Sequence, residues 1–549
     1  MAVKKILLTG LLLLFVRPGF PQPTATSPAT DDAGHPRLVL SIVVEQMRTD
    51  YMGRFGHLMG DNGFKWMMRQ GLSATKAVYN YHFTQAAPAY ATLFTGTTPA
   101  IHGIVADSWY SPDLKAMTEA TADGHTFPTG GSYARGQHSP RYLQASTLGD
   151  AIKIGTSMRG KVFGISLQPD GAILPAGFMA DGAFWFDTVR GLWMTSSFYM
   201  DQLPAWIQEL NAQKPGDRAI STKWTPQWLL PQYTGLADDN AWETGFNGQH
   251  TFPYDPKPLN AKIYTDDYQI VTAVPEGNTI TKELAIKLIE SERLGQDDAV
   301  DFLSVSFAAT GPIGSLFGPF SIETADAFVR LDRDIAELLS YLDRTIGLAN
   351  VLVVFSSTGG CADPPAYMSS LRMNVGNFNA NSAISLLTSF LHVTYGNRNW
   401  ISGYYRQQLY FDRALLEAEK IPEDEILARS AGFLSDISGV SCVLTAQDLM
   451  RNSYTAGVAQ KIQQGFCRQR SGDIVFSLLP GWTEKDALTT SGNSSYAYDA
   501  AVPLVFCGWN IPFGILPGET DITAVTPSIL HALHFAPANG STGTPFALK

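Results

Sequence analysis

The chain has 549 residues, 45% of them hydrophobic and 16% charged, which is a globular composition with enough apolar mass for a large core. Its net charge of −11 repels a nucleic-acid backbone and argues against nucleic acid as a partner. Length alone allows several domains, but α/β proteins of this size also run as one domain carrying insertions.

The N-terminus reads MAVKKILLTGLLLLFVRPGF. Lys4 and Lys5 precede an apolar run that is shorter than the roughly 20 residues needed to span a bilayer. Residues 1–25 are therefore read as a secretory signal peptide, with cleavage between Gly19 and Ser27. Residues 26–36, rich in Pro, Thr, Ala and Asp, read as a disordered leader, and 37–549 as the main domain. No later stretch is long and apolar enough to cross a membrane, so the mature protein is expected in the periplasm or outside the cell.

The first strand is expected over 37–44, with a helix from about Gln46. Helices follow at 63–70 and 88–95, a strand at 161–167, a helix at 281–290 and a strand at 301–308. A long helix over 324–345 leads to a strand at 351–356. A helix at 412–420 and strands at 473–479 and 502–508 complete the pattern. Continuous apolar strands alternating with helices predict an α/β fold: a central, mostly parallel sheet with helices on both faces. Residues 171–280 and 365–475 are irregular and read as cap insertions over the carboxyl edge of that sheet. No internal repeats stand out.

Four cysteines, Cys361, Cys442, Cys467 and Cys507, allow three pairings in an oxidising compartment. Cys442–Cys467 is the favoured pair, beside the alternative of four free thiols. Their spacing matches no zinc ribbon. The strand end VLVVFSSTGGCADPP (351–365) presents neither carboxylate nor imidazole before Asp363, although strand ends of this kind usually carry chemistry. Cys361 has no basic neighbour in sequence to lower its pKa. His82 and His102 read as structural histidines, and the His531/His534 pair as helix packing.

Six phrases occur in order along the chain: VVEQMRTDYMGRFG (43–56), APAYATLFTGTTPAIHGI (87–104), ILPAGFMADGAFWFD (173–187), FGPFS (317–321), KIQQGFCRQRSGDI (461–474) and YAYDAAVPLVFCGWNIP (496–512). Together they resemble the alkaline phosphatase superfamily, and within it the secreted bacterial phosphate-irrepressible alkaline phosphatases and the nucleotide pyrophosphatase/phosphodiesterases. The resemblance implies that fold, two zinc ions held by three Asp and three His, and a Thr nucleophile. It also places each of these positions on this chain. The first metal ligand falls on Glu45, where the family has Asp. The nucleophile falls on Ala86. The Asp and His of the second metal motif fall on Gly311 and Ser315, and those of the third on Thr358 and Gly359. The last His falls on Ser491 or Gly492. The phosphate-binding Asn falls on Asp107, and the family's Lys-Asp-Arg triplet on Gln168, Pro169 and Asp170.

Zinc takes N, S or carboxylate ligands, usually four, and these six positions retain one carboxylate. The expectation is therefore a pseudoenzyme: no catalytic residue, no cofactor, and a fold serving as a binding or assembly module. Its partner would be a cell-envelope protein or a ligand in the cap cleft. Two subsidiary readings accompany it. One is a metal-dependent phosphomonoesterase or phosphodiesterase with rebuilt chemistry. The other is a hard cation held by Glu45, Asp107 and Asp170 with Thr358 and Ser315 oxygens.

Overall fold

The computed structural model describes residues 34–484, 488–492 and 494–548; the segment read as a signal peptide, 1–25, and the stretch 26–33 of the segment read as a leader lie outside them. Eleven strands form one sheet. In chain order they are β1 (Leu38–Val44), β2 (Leu72–Val78), β3 (Pro128–Thr129), β4 (Val162–Ser166), β5 (Gly182–Asp187), β6 (Leu192–Ser196), β7 (Asp301–Phe307) and β8 (Val351–Ser357), then β9 (Ala501–Val502), β10 (Leu504–Gly508) and β11 (Gly514–Asp521). The spatial order is β9-β2-β10-β8-β1-β7-β4-β5-β6-β3, with β11 on β2. The centre, β8-β1-β7-β4-β5, is parallel. Both flanks turn antiparallel, at β10 on one side and β6 on the other.

Strand periodicity explains the two-sided core. Successive side chains of a strand point to opposite faces. Leu38, Leu40, Ile42 and Val44 of β1 enter one hydrophobic cluster with Val351, Val353 and Phe355 of β8. Val39 and Val43 enter the opposite cluster with Leu352 and Val354. Helices α1 (Tyr51–Phe55), α2 (Phe64–Gln70), α5 (Pro275–Glu292), α6 (Thr310–Phe317) and α7 (Ile322–Thr345) contribute to the first cluster, and α3 (Ala86–Thr95) to the second. Helix α4 (Pro169–Ala176) follows β4 directly and packs against α3.

Three expectations are corrected. The helix placed from Gln46 begins at Tyr51, because Gln46 adopts φ +54° and Arg48 closes the turn on Asp50 at 3.0 Å. The apolar run at 473–479 forms a strand, Ile474–Leu478, outside the central sheet. It lies in a four-stranded antiparallel sheet with Ile401–Tyr405, Gln408–Phe411 and Val440–Thr445. A continuous apolar run reports burial on both faces, not which sheet does the burying. This small sheet has a core of its own, including Leu387, Leu391, Trp400 and Phe476. Finally, all four cysteines are free thiols.

Within 171–280, β5 and β6 extend the central sheet, while 205–273 is a run of short helices and turns. Among the described residues no helix is long and apolar enough to cross a membrane.

Candidate functional site

Glu45, Thr358, Gly311 and Gln168 all follow parallel strands, β1, β8, β7 and β4. The fold thus gathers them at the carboxyl edge of the sheet, where open α/β proteins bind ligands. Glu45 is held from three directions. Its N–H donates to Phe307 O at 3.1 Å. Its carbonyl accepts from Thr310 Oγ1 at 2.7 Å. Its Oε1 accepts from Tyr90 Oη at 3.1 Å. Tyr90 lies one helical turn beyond Ala86 on α3, which turns its side chain toward the same edge.

Gly311 sits on α6 directly against Glu45. A Cβ at position 311 would meet Glu45 Oε2 at 2.6 Å. One turn along α6, Ser315 Oγ accepts from Gln46 Nε2 at 2.8 Å. Thr358 is 5% exposed, and its N–H donates to Val44 O at 3.3 Å. Gly359 has φ +153° and backs onto Asp499 O and Thr84 O, which a Cβ would meet at 3.1 and 3.3 Å. A Cβ at Gly492 would stand 2.3 Å from Gly360 O. Ser491 O accepts from Ala362 N at 3.3 Å. Gly311, Gly359 and, where it is the sixth position, Gly492 therefore lack a side chain, and backbone or the Glu45 carboxylate fills the volume beside them.

Ala86 opens α3 with Gln85 at its N-cap. The next N–H, of Ala87, donates to Asp107 Oδ1 at 2.8 Å, and Asp107 N donates back to Gln85 Oε1 at 2.8 Å. Asp107 thus binds the helix start from a distant loop. Gln168 is the N-cap of α4 and Asp170 lies in its first turn. Asp170 Oδ1 accepts from Thr121 Oγ1 at 2.7 Å, and His138 Nδ1 lies 3.1 Å from the same hydroxyl.

Glu45, Asp107 and Asp170 come within electrostatic reach of one another. Burial pushes Glu45 up to about 8; the Tyr90 hydrogen bond opposes this, and the Asp107 and Asp170 charges add to it. Burial also pushes Asp170 up to about 7, reinforced by Asp107. Asp107 is raised by burial, against its bond from Ala87 and the Arg406 charge. Asp107, Gln168 and Asp170 line a cavity of about 260 Å³ with Arg135, His138 and Trp185. Sequence reasoning missed Tyr90, Thr121 and Arg406. Tyr90 was within reach through its i+4 spacing from Ala86; Thr121 and Arg406 arrive through tertiary packing that no local pattern encodes.

The zinc pair implied by the fold family does not fit these residues. One carboxylate, two hydroxyls and glycines make a poor donor set for zinc, and Glu45 Oε2 fills the volume beside Gly311. Among the described residues no three His, Cys, Asp or Glu side chains group in a way that could hold a metal ion.

The remaining candidates have structural partners. His102 accepts from Ile104 N through Nδ1 at 3.1 Å, so its Nε2–H faces Thr92 Oγ1 at 3.0 Å. Burial pushes it down to about 3. His82 is buried, with Nε2 3.3 Å from Phe476 O. Burial pushes the Cys361 thiol up to about 12, away from reactivity. His531 and His534 do not pack as a helical pair: both are exposed, and His534 lies beyond the helix end at φ +54°.

The sequence profile of the type I phosphodiesterase / nucleotide pyrophosphatase family matches residues 39–496. The chain is 34% identical over 522 residues to a calcium-transporting ATPase of Myroides odoratus, covering 94% of this chain and 95% of that one. It is 33% identical over 521 residues to alkaline phosphatase PafA of Elizabethkingia meningoseptica, with the same coverage of 94% and 95%. The crystal structure of wild-type PafA superposes with a TM-score of 0.89 at 32% identity, over 94% of this chain and 99% of that one. On this fold and these matches, the chain belongs to the type I phosphodiesterase / nucleotide pyrophosphatase family of the alkaline phosphatase superfamily.

Proposed function

We propose that this chain is a catalytically silent member of the superfamily, secreted or periplasmic, whose phosphatase fold serves as a binding or assembly module. Its partner is a cell-envelope protein or a ligand of the cap cleft. The observation that carries the reading is the start of α3. Ala86 stands where the family resemblance puts the nucleophile, at the first position of α3, and the methyl of alanine has no lone pair with which to attack phosphorus. The electrostatics support the same reading. A phosphoryl dianion needs positive charge around its oxygens, and here it would meet Glu45, Asp107 and Asp170. Protonated or ionised, these three carboxyl groups supply no positive charge to a phosphoryl group at this edge of the sheet.

The test is turnover of an aryl phosphate and an aryl phosphodiester by the mature protein with zinc supplied, together with elemental analysis after desalting. The expected result is no turnover above the uncatalysed rate and close to zero zinc per chain. Metal-dependent turnover that Glu45→Ala abolishes would overturn the proposal and establish the rebuilt-hydrolase reading in its place. With turnover absent, capture of envelope proteins on the immobilised mature chain identifies the partner.

A further inference from the structure

The cavity at the carboxyl edge of the sheet is rich in acceptors and short of donors. It measures about 260 Å³, and Asp107, Asp170, His138 and Trp185 are among its lining residues. Asp107 Oδ1 accepts the Ala87 N–H at 2.8 Å, and Asp170 Oδ1 accepts the Thr121 hydroxyl at 2.7 Å. No hydrogen bond reaches Oδ2 of either residue. Because the Thr121 hydroxyl donates to Asp170, it accepts from His138 Nδ1–H at 3.1 Å. That fixes the tautomer and leaves the His138 Nε2 lone pair without a donor. His138 is 7% exposed, and burial pushes it down to about 4, so the ring is neutral. Three acceptors from separate segments of the chain thus line one cavity unsatisfied, a costly arrangement for buried groups.

The donors around the cavity are committed to other partners. Arg135 Nε and Nη2 donate to Asp266 Oδ2 at 3.1 and 2.6 Å. Thr188 Oγ1 donates to the same oxygen at 2.6 Å. Trp185 Nε1 donates to Arg135 O at 2.8 Å. Arg406 acts on Asp107 through its charge, without a hydrogen bond to it. The exposed Glu119 adds one more carboxylate to the lining.

These facts select among occupants. An anion would meet carboxyl groups and an Arg135 already paired. A proton on Asp107 or Asp170 satisfies one oxygen and leaves the imidazole lone pair and the cavity volume unfilled. For a bare metal ion the acceptors are wrongly placed: among the described residues no three His, Cys, Asp or Glu side chains group in a way that could hold one. The cavity also far exceeds the about 30 Å³ that one water takes in the liquid. An alkylammonium group carries donors only, three on one nitrogen, and its bonds to carboxylates are charge-assisted.

We propose that this cavity binds a small primary ammonium ion, whose N–H groups donate to Asp107 Oδ2, Asp170 Oδ2 and His138 Nε2 and whose carbon skeleton lies beside Trp185. The proposal rests on the reading of the chain as a binding module and names the chemistry of its cleft ligand.

The test is calorimetric titration of the full mature chain with putrescine at pH 8.5, where Asp170, pushed up to about 7, is ionised. 1,4-Butanediol and succinate, with the same four-carbon chain, are the neutral and anionic controls. The expected result is binding of putrescine and of neither control. Asp170→Asn keeps an oxygen for Thr121 and turns an N–H donor toward the ligand; its affinity should fall about 10-fold or more. His138→Phe keeps the ring against Trp185, whose centroid is 5.8 Å away, removes the lone pair and should also bind more weakly. No putrescine binding by the wild type, equal binding of either control, or unchanged affinity in both variants would overturn the proposal. Should either variant fail to fold, wild-type crystals grown with putrescine decide. A diamine nitrogen within hydrogen-bond distance of Asp107 and Asp170 supports the site, and water alone in the cavity refutes it. Absent binding with no phosphate-ester turnover overturns this inference alone. Metal-dependent turnover overturns the silent-module reading instead, and the titration still decides the ligand.

Discussion

Glu45 and Gly311 share one volume: a Cβ on Gly311 would lie 2.6 Å from Glu45 Oε2 and 3.2 Å from Glu45 Cβ. The long carboxylate at 45 depends on the missing side chain at 311. Glycine is ordinarily a liability inside a helix, and replacing it by alanine gains about 1 kcal/mol. Here the gain is outweighed by overpacking, which costs about 1–3 kcal/mol. Gly311→Ala is therefore expected to destabilise the protein in urea unfolding. Combined with Glu45→Ala the loss should be less than additive, because the two side chains are in contact.

The same carboxylate makes stability depend on pH. Glu45 is raised from 4.5 to about 8, so between these values the folded state holds a proton that the unfolded chain has released. Stability contributed by this group is full below about 4.5 and is lost as pH rises toward 8, by up to about 1.4 kcal/mol per pH unit. Asp170, raised to about 7, acts in the same direction over a lower window. Glu45→Gln should flatten the fall in melting temperature across this range. An unchanged slope would show that Glu45 is ionised in the folded protein.

The strands of the central sheet were legible because β1 and β8 are apolar on both faces and divide their residues between two cores. The two-residue strands β3 and β9 carry no such signal; they exist because β6 and β2 offer partners. The run at 474–478 was legible as a buried strand but not as a member of the smaller sheet. At the site, Glu45, Ala86 and Gly311 were assigned from flanking residues that resemble the family on both sides, and the fold brings Glu45 and Gly311 into contact. The contacts of Thr121 with Asp170 and of Tyr254 with Glu323 join segments 49 and 69 residues apart and leave no local trace.

The thiols offer a direct check on the oxidation state. Cys361 and Cys507 are buried and pushed up to about 12, so little thiolate is available for reaction. Cys467 is buried as well, whereas Cys442 is partly exposed. An aromatic disulfide reagent should label Cys442 first in the native protein and all four thiols after unfolding without reductant. Two titratable thiols instead of four in the unfolded chain would establish a disulfide that this structure lacks.

Asp107 tests whether a matched phosphate-binding position has become structural. Its carboxylate accepts the Ala87 N–H at 2.8 Å, one of the amides that the start of α3 leaves without a helical partner. A negative group here also favours the positive end of the helix. Asp107→Ala leaves that amide unpaired and is expected to cost about 1–2 kcal/mol of unfolding free energy. Asp107→Asn keeps an accepting oxygen, removes the charge that raises Glu45 and Asp170, and should cost less. If the asparagine variant instead loses as much as the alanine variant, the carboxylate charge and not the hydrogen bond holds the helix start. A variant series in urea, read at pH 6 and again at pH 8.5, separates the two: a charge effect grows with ionisation, while a hydrogen-bond effect stays the same.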